Sequence, residues 1–441
     1  MGIPFRFSTI IRVTHSSIRF YSVLGIVVLS LGIISKVYGF TYTETADTNQ
    51  FSLKLKLVNG HWFNGQTFVK RTAWVSNGVL SFNDPGASND TLIDLSGKYV
   101  IPPFAEAHNH NLESDYQLQE RIDSYLSNGV FYVKLLSSVK KRIAPLMYLY
   151  NKPDGIDVSM AHAPLTATGG HPIALRKRFL ENGHFEGLFN SLEEIESHGY
   201  FIIDDLYDLQ HKWAQILSFA PDFIKLNLLY SEEYQLRKDD TTYFGNKGLN
   251  PDLVGEIVAK AHGSNLKVSA HVATAHDFHV AGEAGVDEIA HLPEIRNGKV
   301  ISVADAKLAK EKGIILVTTA TLINKNKEDP NYEKLVENIR SNLTILIQQG
   351  VRLAIGSDGY NDNSVGEFKF LYDLNIFSNL ELLKMWCEHG AITTFPQRKI
   401  GYLKEDYEAN FLVLNLNPLE DISRVNEGIF LKVKQGVILG N

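Results

Sequence analysis

The chain has 441 residues, of which 44% are apolar and 21% are charged. This is the composition of a folded globular protein, and it excludes a disordered or fibrous chain. The 43 basic and 50 acidic side chains leave a net charge of −7, so nothing indicates a basic surface for nucleic acid. Cys387 is the only cysteine, which excludes an intrachain disulfide, a cysteine-ligated zinc site and an iron–sulfur cluster.

The first 39 residues have the pattern of a secretory signal peptide. Three arginines within the first 19 residues precede an uncharged apolar run over residues 20–35, and Gly39 closes a small-residue cleavage site. We therefore expect the body of the protein to be exported, either to a periplasm or out of the cell. The alternative is an uncleaved membrane anchor over residues 20–35, which would be the protein's membrane contact, although a spanning helix needs about 20 residues.

Short runs of alternating apolar and polar residues occupy both ends of the remaining chain. Residues 51–98 contain such runs between Asn-Gly and Pro-Gly turns, and residues 402–440 have the same pattern. Neither segment has enough strands to bury a face alone. We predict that the two pack together as one small β-sandwich.

Residues 99–401 alternate short apolar runs with helical stretches, which is typical of a parallel sheet covered on both faces. Eight such runs favour an α/β fold of the TIM type, a (β/α)8 barrel, over a doubly wound sheet. The runs cover residues 99–110, 130–136, 158–170, 223–229, 267–272, 288–292, 314–320 and 352–358.

Histidine and aspartate residues lie at or near the ends of four of these runs, and a lysine lies within a fifth. They are His108 and His110 on the first run, Lys225 on the fourth, His271 on the fifth, His291 on the sixth and Asp358 on the eighth. Barrel enzymes build their sites at the carboxyl ends of the strands. A single such histidine is usually a hydrogen-bonded structural residue, and an aspartate there can cap a helix. Their occurrence together predicts a metal site.

Lys225 is the most informative of these residues. In the run FIKLN it shares a face with Phe223 and Asn227, and a lysine inside a barrel is costly unless its charge is removed or paired. Beside a divalent metal its pKa should fall, and the free amine can then take up carbon dioxide to form a carbamate that bridges two metals. The alternative is an ion pair with Asp358 or Glu106.

The segment GKYVIPPFAEAHNH resembles the first strand of the metal-dependent amidohydrolase superfamily. The segments DFIKL, VSAHV, EIAHLP and AIGSDG resemble its later strand ends, and NFLVLNLNPLEDI resembles its closing β segment. The resemblance extends from about residue 52 to residue 438 and is to the binuclear branch with a bridging lysine, which includes imidazolonepropionase-like and Xaa-Pro dipeptidase-like members. Pro103 stands where that pattern has glycine, and Glu106 where it has aspartate.

The resemblance implies a site for two divalent metal ions, with zinc as the default expectation. Its implied ligands are His108, His110 and Asp358 for the first ion, His271 and His291 for the second, and carboxylated Lys225 as the bridge. The implied reaction is hydrolysis of an amide or peptide C–N bond by a hydroxide that bridges the metals, with Asp358 as general base and then general acid. The partner is a small-molecule or peptide substrate, and the sequence contains nothing on oligomeric state.

The third run ends in Thr168-Gly169-Gly170-His171, which is similar to a loop of the dipeptidase-like members. His171 is therefore a candidate to contact the scissile carbonyl or a substrate carboxylate, although a loop histidine without such a contact fits the pattern nearly as well. Tyr230, just past the fourth run, is a second candidate for substrate binding.

Two other functions remain open. A mononuclear aminohydrolase, or deaminase, generally lacks the fourth-strand lysine and carries a glutamate after the fifth-strand histidine, whereas this chain has Lys225 and no such glutamate. A non-catalytic binding barrel would be expected to have lost at least one of the six ligands.

Overall fold

The computed structural model describes residues 54–86, 91–294 and 299–440. The predicted export segment lies outside these residues and stays a prediction, which amino-terminal sequencing of the mature protein would test. Among the helices of the described ranges, none is both long enough and apolar enough to span a membrane.

Strands from the two ends of the described chain form one mixed sheet, with the order β18-β17-β16-β5-β1-β2-β3 and with β4 beside β1. The connection between the two ends is the antiparallel pair β5–β16, in which Val100 lies opposite Val413. The strands of this terminal sheet are β1 (Leu55–Phe63), β2 (Phe68–Ser76), β3 (Val79–Ser81), β4 (Thr91–Asp94), β5 (Tyr99–Ile101), β16 (Phe411–Leu414), β17 (Ile429–Lys434) and β18 (Val437–Leu439).

The central part of the chain forms two sheets whose strands are all parallel. One has the order β6-β7-β8, with β6 (Phe104–Asn109), β7 (Val130–Leu135) and β8 (Asp157–Met160). The other has the order β10-β9-β11-β12-β13-β14-β15. Its strands are β9 (Leu165–Thr166), β10 (Phe201–Ile202), β11 (Phe223–Asn227), β12 (Lys267–His271), β13 (Glu288–Ile289), β14 (Ile315–Val317) and β15 (Arg352–Ala354).

Backbone hydrogen bonds connect these two sheets at both edges. At one edge, the amide of Ala107 in β6 donates to the carbonyl of Ile355, just past β15, over 3.0 Å. At the other edge, the amide of Asp222 before β11 donates to the carbonyl of Met160 in β8 over 2.9 Å. The carboxyl ends of strands from both sheets therefore lie on the same side of the molecule.

Helices separate most of the parallel strands. They are α1 (Leu118–Ser127), α2 (Lys140–Ile143), α3 (Ile173–Glu181), α4 (Leu192–Ile195), α5 (Leu206–Ser218), α6 (Tyr234–Arg237), α7 (Val254–Gly263), α8 (Ala275–Ala284), α9 (Val303–Glu311), α10 (Tyr332–Gln348), α11 (Ser364–Asp373), α12 (Asn379–Lys384) and α13 (Gly390–Thr394). Local sequence explains their ends. Helix α8, for example, begins with a capping box between Thr274 and Asp277 and ends at Gly285, whose φ is +77°.

The predicted alternation of strands and helices is confirmed, with one difference in the first run. Residues 99–110 form two strands: β5 joins the terminal sheet, whereas β6 joins the parallel strands. Pro102 and Pro103 separate them, since proline lacks the amide that a sheet ladder needs. Three aromatic rings stack in the core beside β6. The ring centroid of Trp386 lies 3.9 Å from that of Phe104 and 4.6 Å from that of Phe368.

Candidate functional site

His108 and His110 lie at the carboxyl end of β6 and both contact Asp358. Because they are two residues apart at a strand end, their side chains point to the same side. The Nε2 atoms of His108 and His110 lie 3.1 Å and 2.9 Å from Asp358 Oδ1. The backbone brings the aspartate there, since the amide of Asp358 donates to the carbonyl of His108 over 2.7 Å.

Asp358 follows β15 in the left-handed region of the backbone, with φ +49°. This conformation is uncommon for an aspartate and turns the chain sharply as it leaves the strand. Burial opposes ionisation of the Asp358 carboxyl, but His108, His110 and His291 outweigh it and hold its pKa well below the ordinary value. Asp358 is therefore an ionised acceptor in the described site.

His271 and His291 lie beside this group. His271 ends β12 and His291 follows β13, and their ring centroids are 4.2 Å apart. The His291 ring is also 4.7 Å from that of His108, and its Nδ1 is 3.7 Å from Asp358 Oδ2. Burial lowers the pKa of His271 and His291 well below the usual value, so both rings are neutral.

Three of the four histidines have their Nδ1 atom occupied by a protein group. The partners are the Ala290 carbonyl for His108 at 3.0 Å, the Glu113 carboxylate for His110, and Thr319 Oγ1 for His291 at 3.2 Å. Nε2 is then the ring nitrogen that can bind a cation, and in His108 and His110 it faces Asp358. A protein group on the other ring nitrogen is the usual environment of a metal-binding histidine. Sequence reasoning missed Glu113 and Thr319. Only Glu113, three residues after His110, leaves a local signal.

The contact between His108 and Asp358 tests whether a cation fits here. Burial lowers the pKa of His108, and a neutral ring that donates from Nδ1 presents a lone pair from Nε2. That lone pair faces a carboxylate oxygen 3.1 Å away, so two acceptors repel each other unless a proton or a cation lies between them. His108, His291 and Asp358 offer three ligand atoms that all lie within 4.8 Å of one another. These residues fit a metal ion.

Lys225 lies in β11, is 5% exposed, and its Nζ has no hydrogen-bond partner. Among the described residues it forms no ion pair with Asp358 or Glu106, which was the alternative that the sequence left open. Burial lowers the pKa of Lys225 to about 7, although the charges of Glu288 and Asp358 oppose this. Its amine is therefore available in the neutral form near physiological pH.

These side chains face one cavity of about 390 Å³. The predicted residues that line it are His108, His110, His171, Lys225, His271, His291 and Asp358. A second cavity of about 570 Å³ adjoins the first at His110 and Tyr360, and a third of about 450 Å³ adjoins it at His271 and His291.

The two predicted substrate contacts differ in position. His171 lines the 390 Å³ cavity and stacks on His271 with ring centroids 4.8 Å apart, and burial lowers its pKa to about 4. Tyr230 is not among the described residues that line that cavity; the Arg237 guanidinium lies 3.9 Å above its ring. The backbone amide of Tyr230 donates to Asp277, which holds this loop against α8.

Glu106 supports the site through Ser357, the residue before Asp358. It is fully buried, and its carboxylate accepts hydrogen bonds from the amide of Ser357 at 2.8 Å and from the Ser357 hydroxyl at 3.2 Å. Ser357 immediately precedes Asp358, so this contact fixes the backbone that carries the aspartate. Burial raises the pKa of Glu106 well above its ordinary value despite these hydrogen bonds.

Comparison with known proteins gives one family and several structural relatives. Residues 241–441 match the model of the amidohydrolase family. Ochratoxinase from Aspergillus niger is 30% identical over 208 residues, which are 44% of this chain and 41% of that protein. The aligned region thus spans less than half the length of the curated relatives.

Solved structures are similar over most of the chain. The structure of A. niger ochratoxinase has a TM-score of 0.68 at 20% identity and covers 88% of this chain and 95% of that one. A prolidase complexed with N-methylphosphonate-L-proline has a TM-score of 0.67 at 21% identity, covering 88% and 100%. A Xaa-Pro dipeptidase with bound methionine has a TM-score of 0.65 at 18% identity, with the same coverage. At these identities the structures show a shared fold.

Proposed function

We propose that the chain is a member of the amidohydrolase superfamily and a hydrolase of amide or peptide C–N bonds that works with bound divalent metal ions. The observation that carries this proposal is the cluster of His108, His291 and Asp358 at the carboxyl ends of parallel strands, inside a cavity. The matches to ochratoxinase, prolidase and Xaa-Pro dipeptidase support the reaction class, and a dipeptidase is its narrowest form.

We infer that β6, β7, β8, β11, β12, β13, β14 and β15 form a closed (β/α)8 barrel. The support is the pair of backbone contacts that join the two parallel sheets at both edges, Ala107 to Ile355 and Asp222 to Met160. In this proposal residues 99–401 are chiefly the barrel, and residues 51–98 and 402–440 are the small β domain. Closure would bring the predicted site residues to one mouth.

The proposed metal ligands are His108, His110 and Asp358 for one ion, His271 and His291 for the other, and Lys225 as a carbamate between them. Neutral Lys225 would gain carbon dioxide and release one proton when the carbamate forms. Bound divalent ions, zinc by default, would supply a Lewis acid that activates water and polarises the amide carbonyl.

The chain's own groups have separate tasks in this proposal. Ionised Asp358 accepts the proton of the attacking water and passes it to the nitrogen of the leaving amine. His171 lines the same cavity and donates a hydrogen bond to the carbonyl oxygen of the substrate. Glu106 and Glu113 hold Asp358 and His110 in position through Ser357 and the His110 ring.

A mononuclear aminohydrolase is the second candidate, and one observation favours it. The ligand atoms that lie within 4.8 Å of one another belong to His108, His291 and Asp358, which is a set for a single ion. Lys225, which a second ion would use, has no place in such a site. The number of bound ions therefore separates the two candidates.

Metal analysis of the purified protein, together with a screen of dipeptides and N-acyl amino acids, tests the proposal. We expect two divalent ions per chain, amine release from at least one amide, and loss of bound metal in His291→Ala. The matched control is His279→Ala, an exposed histidine on α8 that pairs with Asp305 and should keep both ions. One ion with ammonia release would favour the aminohydrolase. No bound ion and no hydrolysis would overturn the proposal.

A further inference from the structure

Arg176 is a buried cation for which the described chain supplies no carboxylate. It lies in α3, is 2% exposed, and its Nη2 donates to the hydroxyl of Ser137. Its Nε has no hydrogen-bond partner. Taking a guanidinium out of water is unfavourable unless an anion or enough acceptors replace the lost hydration.

Two other cations that are equally buried have acidic partners. Lys134 lies 2.7 Å from Glu288, and Lys434 lies 2.7 Å from Asp157. These pairs are what a buried cation needs for structural reasons alone. Arg176 has no such pair among the described residues, and because it is buried beside a cavity, an anion bound there would supply the missing partner.

The position of Arg176 shows where such an anion would bind. Arg176 lines the 390 Å³ cavity that contains the histidine cluster, and it also lines the adjoining 570 Å³ cavity. Phe179, one helical turn further along α3, lines both cavities as well. An anion beside Arg176 would therefore lie next to the proposed reaction centre and within reach of the second cavity.

The charges around the 390 Å³ cavity agree with an anionic ligand. With Lys225 neutral, the cationic residues that line it are Arg176, Arg178 and Lys325, and Asp358 is its acidic residue. This excess of positive charge occurs in a chain whose net charge is −7. A concave site with one sign of charge concentrates ligands of the opposite sign.

We propose that Arg176 binds a carboxylate of the substrate, so that the site prefers amides that carry a free carboxylate beside the scissile bond. A guanidinium matches a carboxylate in shape and charge and forms paired hydrogen bonds with it. This inference rests on the proposed hydrolysis of amides and adds the substrate class and the residue that selects it. Arg176 is a specificity-determining residue, and the chemistry remains with the groups of the histidine cluster.

The test uses two probes that differ in the carboxylate alone, N-benzoyl-phenylalanine and N-benzoyl-phenethylamine. Hydrolysis of each is measured as kcat and KM, and binding of each is measured by calorimetry, with the wild-type protein and three variants. Arg176→Met removes the charge. Arg176→Lys keeps the charge but lacks the planar guanidinium group with its paired N–H donors. Lys177→Met is the matched control, since Lys177 is 53% exposed on the same helix and does not line the cavity.

We expect the wild-type protein to prefer the carboxylated probe in both measurements. Arg176→Met should weaken binding of that probe by about 10- to 100-fold and raise its KM, because a charge-assisted hydrogen bond is lost. Arg176→Lys should retain part of the preference. Binding of N-benzoyl-phenethylamine should change little in any variant, and Lys177→Met should match the wild type, with thermal unfolding as the check on folding.

Two failures are distinguishable. If the wild-type protein hydrolyses neither probe nor any amide of the screen, the proposed function is wrong, and the calorimetric comparison still decides whether Arg176 binds carboxylates. If the wild type binds both probes equally or binds neither, or if Arg176→Met keeps the preference, the inference about Arg176 is overturned.

Discussion

Lys225 shows how a single side chain connects burial to chemistry. A lysine inside a parallel sheet loses its hydration, and without an acceptor for its protons the charged form is disfavoured. Its Nζ has no partner in the described chain, and burial lowers its pKa to about 7. The neutral amine that results is the form that reacts with carbon dioxide.

The first residue-scale prediction is the effect of Lys225→Ala. If the lysine carries a carbamate that holds two metals, the variant should lose at least one metal ion per chain and almost all hydrolysis. Acetate or propionate should restore part of the turnover by occupying the vacated position. Metal content and the rescued rate are the two measurements.

Lys134→Met is the matched control for that variant. Lys134 is as buried as Lys225, but it pairs with Glu288 at 2.7 Å and also donates to the Thr393 carbonyl at 2.9 Å. Its loss should lower the free energy of unfolding by about 3–5 kcal/mol, since it leaves Glu288 buried and unpaired, without rescue by carboxylic acids. Two metal ions and near-normal turnover in Lys225→Ala would contradict the carbamate proposal.

At the scale of elements, the segment between α12 and α13 contains a buried glutamate, Glu388. Residues Met385–His389 form a π-helix, in which Glu388 is 3% exposed and its Oε1 has no hydrogen-bond partner. Burial raises the pKa of Glu388 to about 7, and Lys384 and Lys404 offset this only in part. Lys384 Nζ lies 3.8 Å from the other carboxylate oxygen, Oε2.

This raised pKa predicts how stability depends on pH. The folded protein holds the Glu388 proton between the ordinary pKa of 4.5 and about 7, whereas the unfolded chain releases it near 4.5. The unfolded state therefore binds fewer protons in this interval, so Glu388 makes stability fall as pH rises from 4.5 to 7 and contributes no further change above 7.

Glu388→Gln should remove this contribution, because the amide has no proton to lose. We expect the variant to be more stable than wild type at pH 8, by up to about 3 kcal/mol, and to differ much less near pH 4.5. Urea unfolding across pH 4.5 to 8 measures the effect, with Glu256→Gln on the exposed side of α7 as the control. Parallel pH profiles of Glu388→Gln and wild type would show that Glu388 ionises normally.

At the scale of the whole molecule, a buried charge network ties the terminal sheet to the parallel strands. Asp157 in β8 accepts hydrogen bonds from Lys434 in β17 and from Arg398, each over 2.7 Å. Arg398 also pairs with Glu408 at 2.6 Å. Asp157 and Lys434 are almost completely buried, and Asp157 is the carboxylate that pairs with Lys434 among the described residues.

A double-mutant cycle on this pair is the prediction at this scale. Asp157→Asn should lower the free energy of unfolding by about 3–5 kcal/mol, because it leaves Lys434 buried without its counter-ion. Adding Lys434→Met should recover part of that loss, since both charges are then absent. Denaturant unfolding of the wild type, both single variants and the double variant gives the coupling energy. Strictly additive losses would contradict the network.

Much of the strand pattern was predictable, because apolar runs and turn residues are local signals. Seven of the eight runs from residues 99 to 358 each contain one strand of the parallel sheets, although β13, β14 and β15 are shorter than their runs, and the run 158–170 contains two, β8 and β9. The short strand β10 was not predicted, since two residues leave no periodicity to detect. The division of the first run between β5 and β6 depends on which sheet each half meets, which is a property of the packed molecule.

The sequence by itself determined the strand that carries Lys225 and the strand ends that carry His108, His110, His271, His291 and Asp358, because residue type and position along a strand are local properties. Only the tertiary structure decided which groups meet across the chain. It brings Thr319 to His291 and turns Tyr230 towards Arg237. It also buries Arg176 beside the cavity without a carboxylate from the described chain. These contacts depend on how the segments pack against each other, which no local pattern in the sequence encodes.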